Sequence, residues 1–347
     1  MPTFMAGELR KIGSEIFKAA GVPEDEANLV SDFLVKANLD GHDSHGVIRI
    51  PQYVKEIEEG RIKPRAEFRI IRETATSALI DGNWGFGQVV AERAMRIAIE
   101  KARAYTVGIV SVRNCNHVGR LFDYTVMAAE EGMIGLAFVN SPKIVAPYGG
   151  IDRKLGTCPI SLAFPAGENF PIVIDMATSV CAEGKVRVAL HKGMRLPYRC
   201  IVDKWGRLSD DPKDLYDGGA LLPFGGEVGY KGFGLALSAE ILGGILSGTG
   251  FSSSERFRGG NGVFMEVINV DGFMDADEFR REVDNLIRAV KSSRVMHGFK
   301  EIIIPGEIEF RTRVRRVREG IKLPDETWKR IVETARRLGL DIKSLLK

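Results

Sequence analysis

Cysteine is scarce in this chain and widely scattered. The only four are Cys115, Cys158, Cys181 and Cys200. None forms a C-x-x-C pair, which argues against a zinc ribbon or a disulfide framework and leaves buried free thiols as the expectation. No apolar run reaches the roughly 18 to 20 residues that a bilayer span needs. The first residues lack the charged segment and apolar run of a secretory leader, so a cytoplasmic protein without a membrane partner is expected. Charge of one sign is not in excess either: 49 Lys and Arg face 46 Asp and Glu, a balance that gives no field for nucleic acid. The one basic cluster, Arg311, Arg313, Arg315, Arg316 and Arg318, is interrupted by Val314 and Val317 and reads as the solvated face of an amphipathic helix.

Catalytic signatures are missing as well. There is no G-x-S-x-G elbow, no H-E-x-x-H and no P-loop spacing. The nearest approach to a dinucleotide fingerprint, Gly85-Phe86-Gly87-Gln88-Val89-Val90, fails at its third glycine, and the next strand ends Ser111-Val112-Arg113 where a Rossmann fold wants an acid. A standard Rossmann domain is therefore not expected. A second glycine-rich segment, Phe224 to Gly234, opens a helix near Lys231, where backbone N–H groups and a lysine could cradle phosphate.

With 347 residues, 44% of them hydrophobic and 27% charged, the chain has the balance of a globular protein and enough length for two or more packed units. Leu9, Ile12, Ile16 and Ala19 fall at helical spacing and Gly21 ends the run. Pro23 with three acids opens a second helix to about Asn38, and a third is expected from Gly46 to about Glu59. Short apolar runs then predict strands at Phe68–Glu73 and Ser77–Asp81, paired as a hairpin, and at Val107–Val112, Ile134–Val139, Ile172–Ile174, Val263–Val270 and Glu301–Ile304. Helices are expected at about Gln88–Arg103, Leu121–Glu131, Cys181–Leu190, Lys231–Leu246 and Asp275–Lys291. The tail from Glu307 to Lys347 returns to helix. Helices at both termini around a mixed centre predict two domains: residues 1–66 with 307–347, and a central region, residues 67–306.

The segment richest in chemistry is Asp43-Ser44-His45-Gly46, followed by Arg49. A helix starting at Gly46 would set His45 and Arg49 on one side of its first turn. A guanidinium grips a carboxylate and an adjacent imidazole gives or takes a proton, so a 2-oxo or 2-hydroxy acid would satisfy both. His42, His45 and His117 are the only histidines that could form a metal cluster, which leaves a metal-dependent lyase or hydrolase as the rival. His191 and His297 read as surface or core packing.

In chain order, Asp43-Ser44-His45-Gly46 with Arg49 and Tyr53, Asn116-His117-Val118-Gly119, Asn140-Ser141-Pro142 and Gly156-Thr157-Cys158-Pro159-Ile160 form a series. Asp175-Met176-Ala177-Thr178-Ser179, Leu222-Pro223-Phe224-Gly225-Gly226, Tyr230-Lys231-Gly232 and Pro305-Gly306-Glu307 continue it. The series resembles the malate/L-lactate dehydrogenase type 2 family over nearly the whole chain. That resemblance implies an α/β (mixed α+β), non-Rossmann fold with a largely antiparallel or mixed central sheet. It also implies NAD or NADP as cofactor, a small carboxylate substrate of malate, lactate or sulfolactate type, and a homodimer or higher homo-oligomer. Reduction of a cyclic imino acid or a diketo acid is the family's alternative.

By the same resemblance Ser44 and His45 form a relay and proton donor, with His117 competing for the acid–base role, and Arg49 and Thr157 hold the substrate carboxylate. Cofactor contacts fall on His117, Val118, Gly119, Arg120 and Leu121, on Ser141, on Asp175, Met176 and Ala177, on Lys231 and Gly232, and on Pro305, Gly306 and Glu307. No metal is implied. The chain departs from the family at Cys158, where asparagine is common, and near Cys200, where a tryptophan is common.

Overall fold

The computed structural model describes residues 1–345, apart from the side chains of His191 and Lys343. The packing expected of His191 and the last residues of the tail helix, Leu346 and Lys347, lie outside the described residues. Strand β1 (Thr3–Phe4) precedes helices α1 (Ala6–Ala19), α2 (Glu24–Leu39) and α3 (Ile50–Glu58). The acids Glu24, Asp25 and Glu26 follow Pro23 into the first turn of α2, where the helix dipole favours negative charge. The middle of the chain begins with β2 (Arg69–Glu73), β3 (Ser77–Asp81), α4 (Gly87–Tyr105), β4 (Val107–Cys115), α5 (Phe122–Glu130) and β5 (Met133–Val139). It continues through β6 (Ile160–Phe164), β7 (Ile172–Met176), α6 (Glu183–His191), β8 (Ile201–Val202), β9 (Leu208–Ser209), α7 (Pro212–Tyr216) and β10 (Ala220–Leu221). Then come α8 (Tyr230–Ala239), β11 (Asn261–Asn269), α9 (Ala276–Lys291), α10 (Glu307–Glu319), β12 (Ile321–Lys322), α11 (Asp325–Arg337) and α12 (Ile342–Leu345).

Seven strands form the central sheet in the order β2-β3-β4-β11-β5-β6-β7. Only β3 and β4 run parallel, joined through α4, and every other neighbouring pair is antiparallel. This is the mixed, largely antiparallel sheet expected, and it differs from the parallel sheet of a doubly wound fold. Helices α4 and α5 bury Met95, Ala98, Tyr124 and Ala128 with Val110, Val112, Met265 and Val267 of the sheet. A separate core joins the two ends of the chain: Leu9, Ile12, Ile16, Leu34 and Tyr53 pack with Ile321, Leu323 and Ile331. β1 pairs with β12 beside them.

Two expectations are corrected. The third helix begins at Ile50, not Gly46, because Gly46 is extended (φ −86°, ψ −154°) and separates two 3₁₀ turns, Asp43–His45 and Val47–Arg49. Pro51 then sits in the first turn of α3, where its missing N–H costs nothing. No strand forms at 301–304: the Ile304 N–H donates to Glu307 Oε2 at 3.0 Å, and Pro305 has no N–H to continue a ladder. β6 and the small β10-β8-β9 sheet were not anticipated. The expected helix 231–246 is α8, which continues into a π-helical stretch, Glu240–Ile245, a feature frequent at functional sites.

Candidate active site

The segment from Asp40 to Arg49 is a loop clamped from two sides. On one side Asn38 of α2 fills the space over Gly46, where a Cβ would overlap its side-chain amide. Asn38 Oδ1 accepts from the Val47 N–H at 2.8 Å and its Nδ2 donates to Asp43 Oδ1 at 2.6 Å. On the other side lies α10. Arg313 grips Asp40 bidentately at 2.6 and 2.7 Å, Arg316 Nη1 meets Asp43 Oδ1 at 2.7 Å, and Glu309 meets His42 Nε2 at 3.1 Å. This corrects the reading of the basic cluster as a solvated face: Arg313 and Arg316 position the loop. His42 turns toward Glu309, and the described residues contain no cluster of His, Cys, Asp or Glu able to hold a metal ion.

The loop brings His45 against His117, which follows β4. Their rings stack, 5.6 Å between centroids and 24° from parallel. Each imidazole has its own hydroxyl partner: Ser44 Oγ lies 3.0 Å from His45 Nδ1, and Tyr53 Oη lies 2.7 Å from His117 Nδ1. Gln88 Nε2 donates to the Tyr53 oxygen at 2.9 Å, which leaves the tyrosine proton free to face His117. Arg49 stands beside both rings, its Nε donating to the Ser44 carbonyl and its Nη1 to Gln52 Oε1, each at 2.7 Å. The far tip of the guanidinium, Nη2, makes no hydrogen bond among the described residues.

The electrostatics follow from burial and from that cation. Burial, then the Arg49 charge, pushes His45 down to about 3, and the same two causes hold His117 well below the ordinary histidine range. Both imidazoles are neutral near pH 7. Burial raises Tyr53 to about 12, so its hydroxyl keeps its proton. Asp175, raised by burial to about 6, accepts from the Phe122 N–H at 2.9 Å. That bond joins the His117–Leu121 segment to the end of β7.

Arg120 is a deeply enclosed cation, its side chain 2% exposed. It bridges Asp40 at 2.7 Å and Asp123 at 2.6 Å and stacks 4.4 Å over Phe122. Burial opposes its charge, but the two carboxylates more than offset this. Its Nη1 is buried without a hydrogen-bond partner among the described residues. An orphaned donor of this kind suits a ligand carrying an acceptor.

The other expected residues form a connected second wall. Thr157 Oγ1 lies 3.2 Å from Ser141 Oγ, and both the N–H and the hydroxyl of Thr178, next to Ala177, donate to the Thr157 carbonyl at 2.9 and 3.0 Å. The Phe224 N–H donates to the Thr178 carbonyl at 2.8 Å and the Gly232 N–H to that of Phe224 at 3.2 Å, which carries Lys231 and Gly232 to this wall. Pro305 accepts from the Val173 N–H at 3.1 Å, next to Asp175 and Met176 on β7. Gly306 takes φ +92°, and Glu307 is tied to Lys291 at 2.7 Å. No hydrogen bond among the described residues joins Arg49 to Thr157. Gly184, on α6, borders Ser44.

Several members escaped sequence reasoning. Asp40, Gln52 and Glu240 carried no motif signal, whereas Gln88 lay inside the failed glycine fingerprint and Tyr53 inside a family block. Glu240, at the start of the π-helical stretch, takes the Gly156 N–H at 3.2 Å, the Ser252 N–H at 2.9 Å and the Cys158 thiol at 3.4 Å. The thiol at the family's asparagine position is thus a donor, its pKa raised by burial and by Glu240. At the second departure, Cys200 Sγ lies 3.2 Å from Cys181 Sγ, and all four cysteines are free and buried.

A profile described as malate/L-lactate dehydrogenase matches residues 4–332. Malate dehydrogenase of Pyrococcus horikoshii is 43% identical over 92% of this chain and 91% of its own. The structure of sulfolactate dehydrogenase from Methanocaldococcus jannaschii superposes with a TM-score of 0.91 at 37% identity, covering 100% of both chains. That of Δ1-piperideine-2-carboxylate reductase from Pseudomonas syringae gives 0.86 at 30% identity, covering 96% of this chain and 100% of that one.

Proposed function

The chain belongs to the malate/L-lactate dehydrogenase family, and from that membership we propose that it interconverts a small 2-hydroxy acid and the matching 2-oxo acid with NAD or NADP. The observation that carries this reading at the site is the stacked, uncharged pair His45 and His117 beside the free tip of Arg49. Arg49 takes the substrate carboxylate, aided by Thr157. When bound, the nicotinamide accepts or supplies the hydride exchanged at C2 of the substrate. His117 to Leu121, Ser141, Asp175 to Ala177, Lys231 to Gly232 and Pro305 to Glu307 would hold it. The buried unpartnered Arg120 Nη1 fits a group rich in acceptors.

In the oxidation direction a neutral imidazole receives the hydroxyl proton. His45 fills that role, because Ser44, exposed at the rim, can pass the proton from Nδ1 toward solvent. His117 orients the same oxygen, and Tyr53 supports either tautomer of its ring by donating to Nδ1 or accepting from it. In reduction the proton returns from His45. Arg49 favours this step only when neutralised, since its free charge holds the imidazole in its neutral form. Positioning of the carboxylate relative to the proton carrier supplies the rest.

We further propose the division into a unit of 1–66 with 307–347 and a central unit, cytoplasmic residence, and a homodimer. The apolar side chains of Tyr230, Leu237, Ile241 and Ile245 stand exposed along α8 and the π-helical stretch, and a self-complementary apolar patch is what a dimer would bury. Reduction of a cyclic imine is the second reading, favoured by the likeness to the piperideine carboxylate reductase. The test is a screen of oxaloacetate, pyruvate, 2-oxoglutarate, sulfopyruvate and a cyclic imine with NADH and NADPH, followed at the reduced-nicotinamide absorbance. Turnover of a 2-oxo acid is expected, and inertness toward all four would overturn the proposal.

A further inference from the structure

A cavity of about 320 Å³ is walled by Trp84, Arg113, Asn114, Thr249, Arg256 and Arg258. Its chemistry is unlike that of the second wall of the active site. Three arginines line it, and among the described residues only Arg113 has an acidic partner, Asp81 at 3.2 Å. Arg256 and Arg258 make no ion pair or hydrogen bond among the described residues. Three cations against one carboxylate leave two uncompensated positive charges around one small space, and arginine forks match phosphate and carboxylate.

The backbone around the cavity is held in an uncommon conformation. Trp84 (φ +61°) and Asn114 (φ +51°) both take left-handed values, rare for residues with side chains and a genuine outlier for one as bulky as tryptophan. The Trp84 N–H donates to the Asn114 carbonyl at 2.7 Å, so the two residues hold each other in place. The effect is to keep the indole on the cavity wall, over Gly260. Such outliers concentrate at ligand clamps.

Both walls lead directly to the reacting residues. The Trp84 carbonyl accepts from Asn116 Nδ2 at 2.8 Å, one residue before His117. On the opposite side, the Gly250 carbonyl, next to Thr249, accepts from Asn140 Nδ2 at 2.8 Å, and the Ser252 hydroxyl donates to the Ser141 carbonyl at 2.5 Å. We infer that this cavity binds a small dianion, a phosphate ester or a dicarboxylate, as an effector site separate from the Arg49 centre. Occupancy draws Arg256 and Arg258 inward against Arg113 and is felt at His117 and Ser141 through these bonds.

The test is a titration of the full-length protein with glycerol 3-phosphate and, separately, succinate, read by tryptophan fluorescence and by the rate with the preferred substrate. A saturable fluorescence change with at least one anion is expected, absent in Trp84→Phe and retained in Arg49→Gln, which separates this site from the reacting one. Arg256→Gln with Arg258→Gln should weaken binding at least about tenfold, the size of one lost charge-assisted hydrogen bond. The basal rate should survive in that variant while its response to the anion disappears. Which anion binds more tightly identifies the source. No saturable change with either anion, equal binding by the double variant, or binding without any effect on rate would overturn the inference. So would a double variant that binds neither anion and becomes monomeric, because the arginines would then be meeting acids of a second copy.

Discussion

His45 and His117 stack with 5.6 Å between ring centroids, yet each is bound at Nδ1 by a different hydroxyl, Ser44 for one and Tyr53 for the other. The two rings therefore have different routes for a proton, one toward solvent and one into the buried Tyr53–Gln88 pair, which matters in the proposed reaction where both face one substrate oxygen. Replacing His45 with Gln should lower kcat by about 10²- to 10⁴-fold, the usual worth of a general acid–base, with cofactor affinity unchanged. His117→Asn should cost less in kcat and more in KM. The reverse ranking in steady-state kinetics would transfer the proton to His117.

The depressed pKa values give a pH test with a definite sign. In the free enzyme both imidazoles are neutral, held so by burial and by Arg49. Substrate carboxylate on Arg49 cancels that charge and lets the imidazole pKa rise in the complex. For oxidation, the acid limb of kcat/KM, which reports the free enzyme, should lie below the ordinary histidine value of about 6.5, and the limb of kcat should lie above it on the pH axis. Coincident limbs near 6.5 would contradict the assignment. Stability follows the same linkage. The unfolded chain takes up protons at these histidines as pH falls through about 6.5 while the native one does not, so stability is lost on the acid side. His45→Gln should make that slope shallower in denaturant titrations.

Arg49 holds the loop through the Ser44 carbonyl and Gln52 while offering Nη2 outward. Lysine keeps the charge but has no fork to serve both tasks. Arg49→Lys should raise the substrate KM at least about tenfold, roughly one charge-assisted hydrogen bond, with a smaller fall in kcat. An unchanged KM would remove Arg49 from the carboxylate clamp.

The parts of this site that were legible from the sequence are those whose chemistry is local. Ser44, His45 and Arg49 stand within six residues of one another, and the paired strands Phe68–Glu73 and Ser77–Asp81 were readable from their short apolar runs. What was not legible depends on contacts distant in sequence. The Arg313–Asp40 pair spans 273 positions, so nothing near Asp40 marks it as an anchor and nothing near Arg313 distinguishes it from a surface arginine. The start of α3 was misplaced because helical spacing from Gly46 looks sound until Asn38 packs over that glycine. Glu240 was invisible for the same reason: Gly156 and Cys158 reach it from one loop and Ser252 from another, all distant in sequence.

Asp40 should be the most sensitive point of that hidden anchor. Its side chain is 1% exposed and it accepts from both Arg120 and Arg313, so Asp40→Asn leaves two guanidiniums short of a counter-charge in a buried place. Breaking one side of such a network costs about 3–5 kcal/mol. A large fall in melting temperature is expected, with the surviving folded fraction impaired in kcat because the His45 loop loses its fixed seat. Arg313→Ala, at the more exposed end, should fall between wild type and Asp40→Asn in thermal unfolding.

The second wall can be probed without touching any charged group. Gly156 lies so close to Ser141 that an added Cβ would overlap both the Ser141 carbonyl oxygen and its hydroxyl, and backbone contacts of this kind do not yield as a flexible side chain does. Gly156→Ala must push the 156–158 segment away from Ser141, breaking the 3.2 Å contact between Ser141 and Thr157 and the Gly156 N–H bond to Glu240. Because Thr157 is assigned to the substrate carboxylate and Ser141 to the cofactor, both KM values should rise together, while the acid limb set by His45 and Arg49 on the opposite wall stays where it is. If the pH profile moved and the KM values did not, the two walls would not be dividing the work between proton transfer and binding.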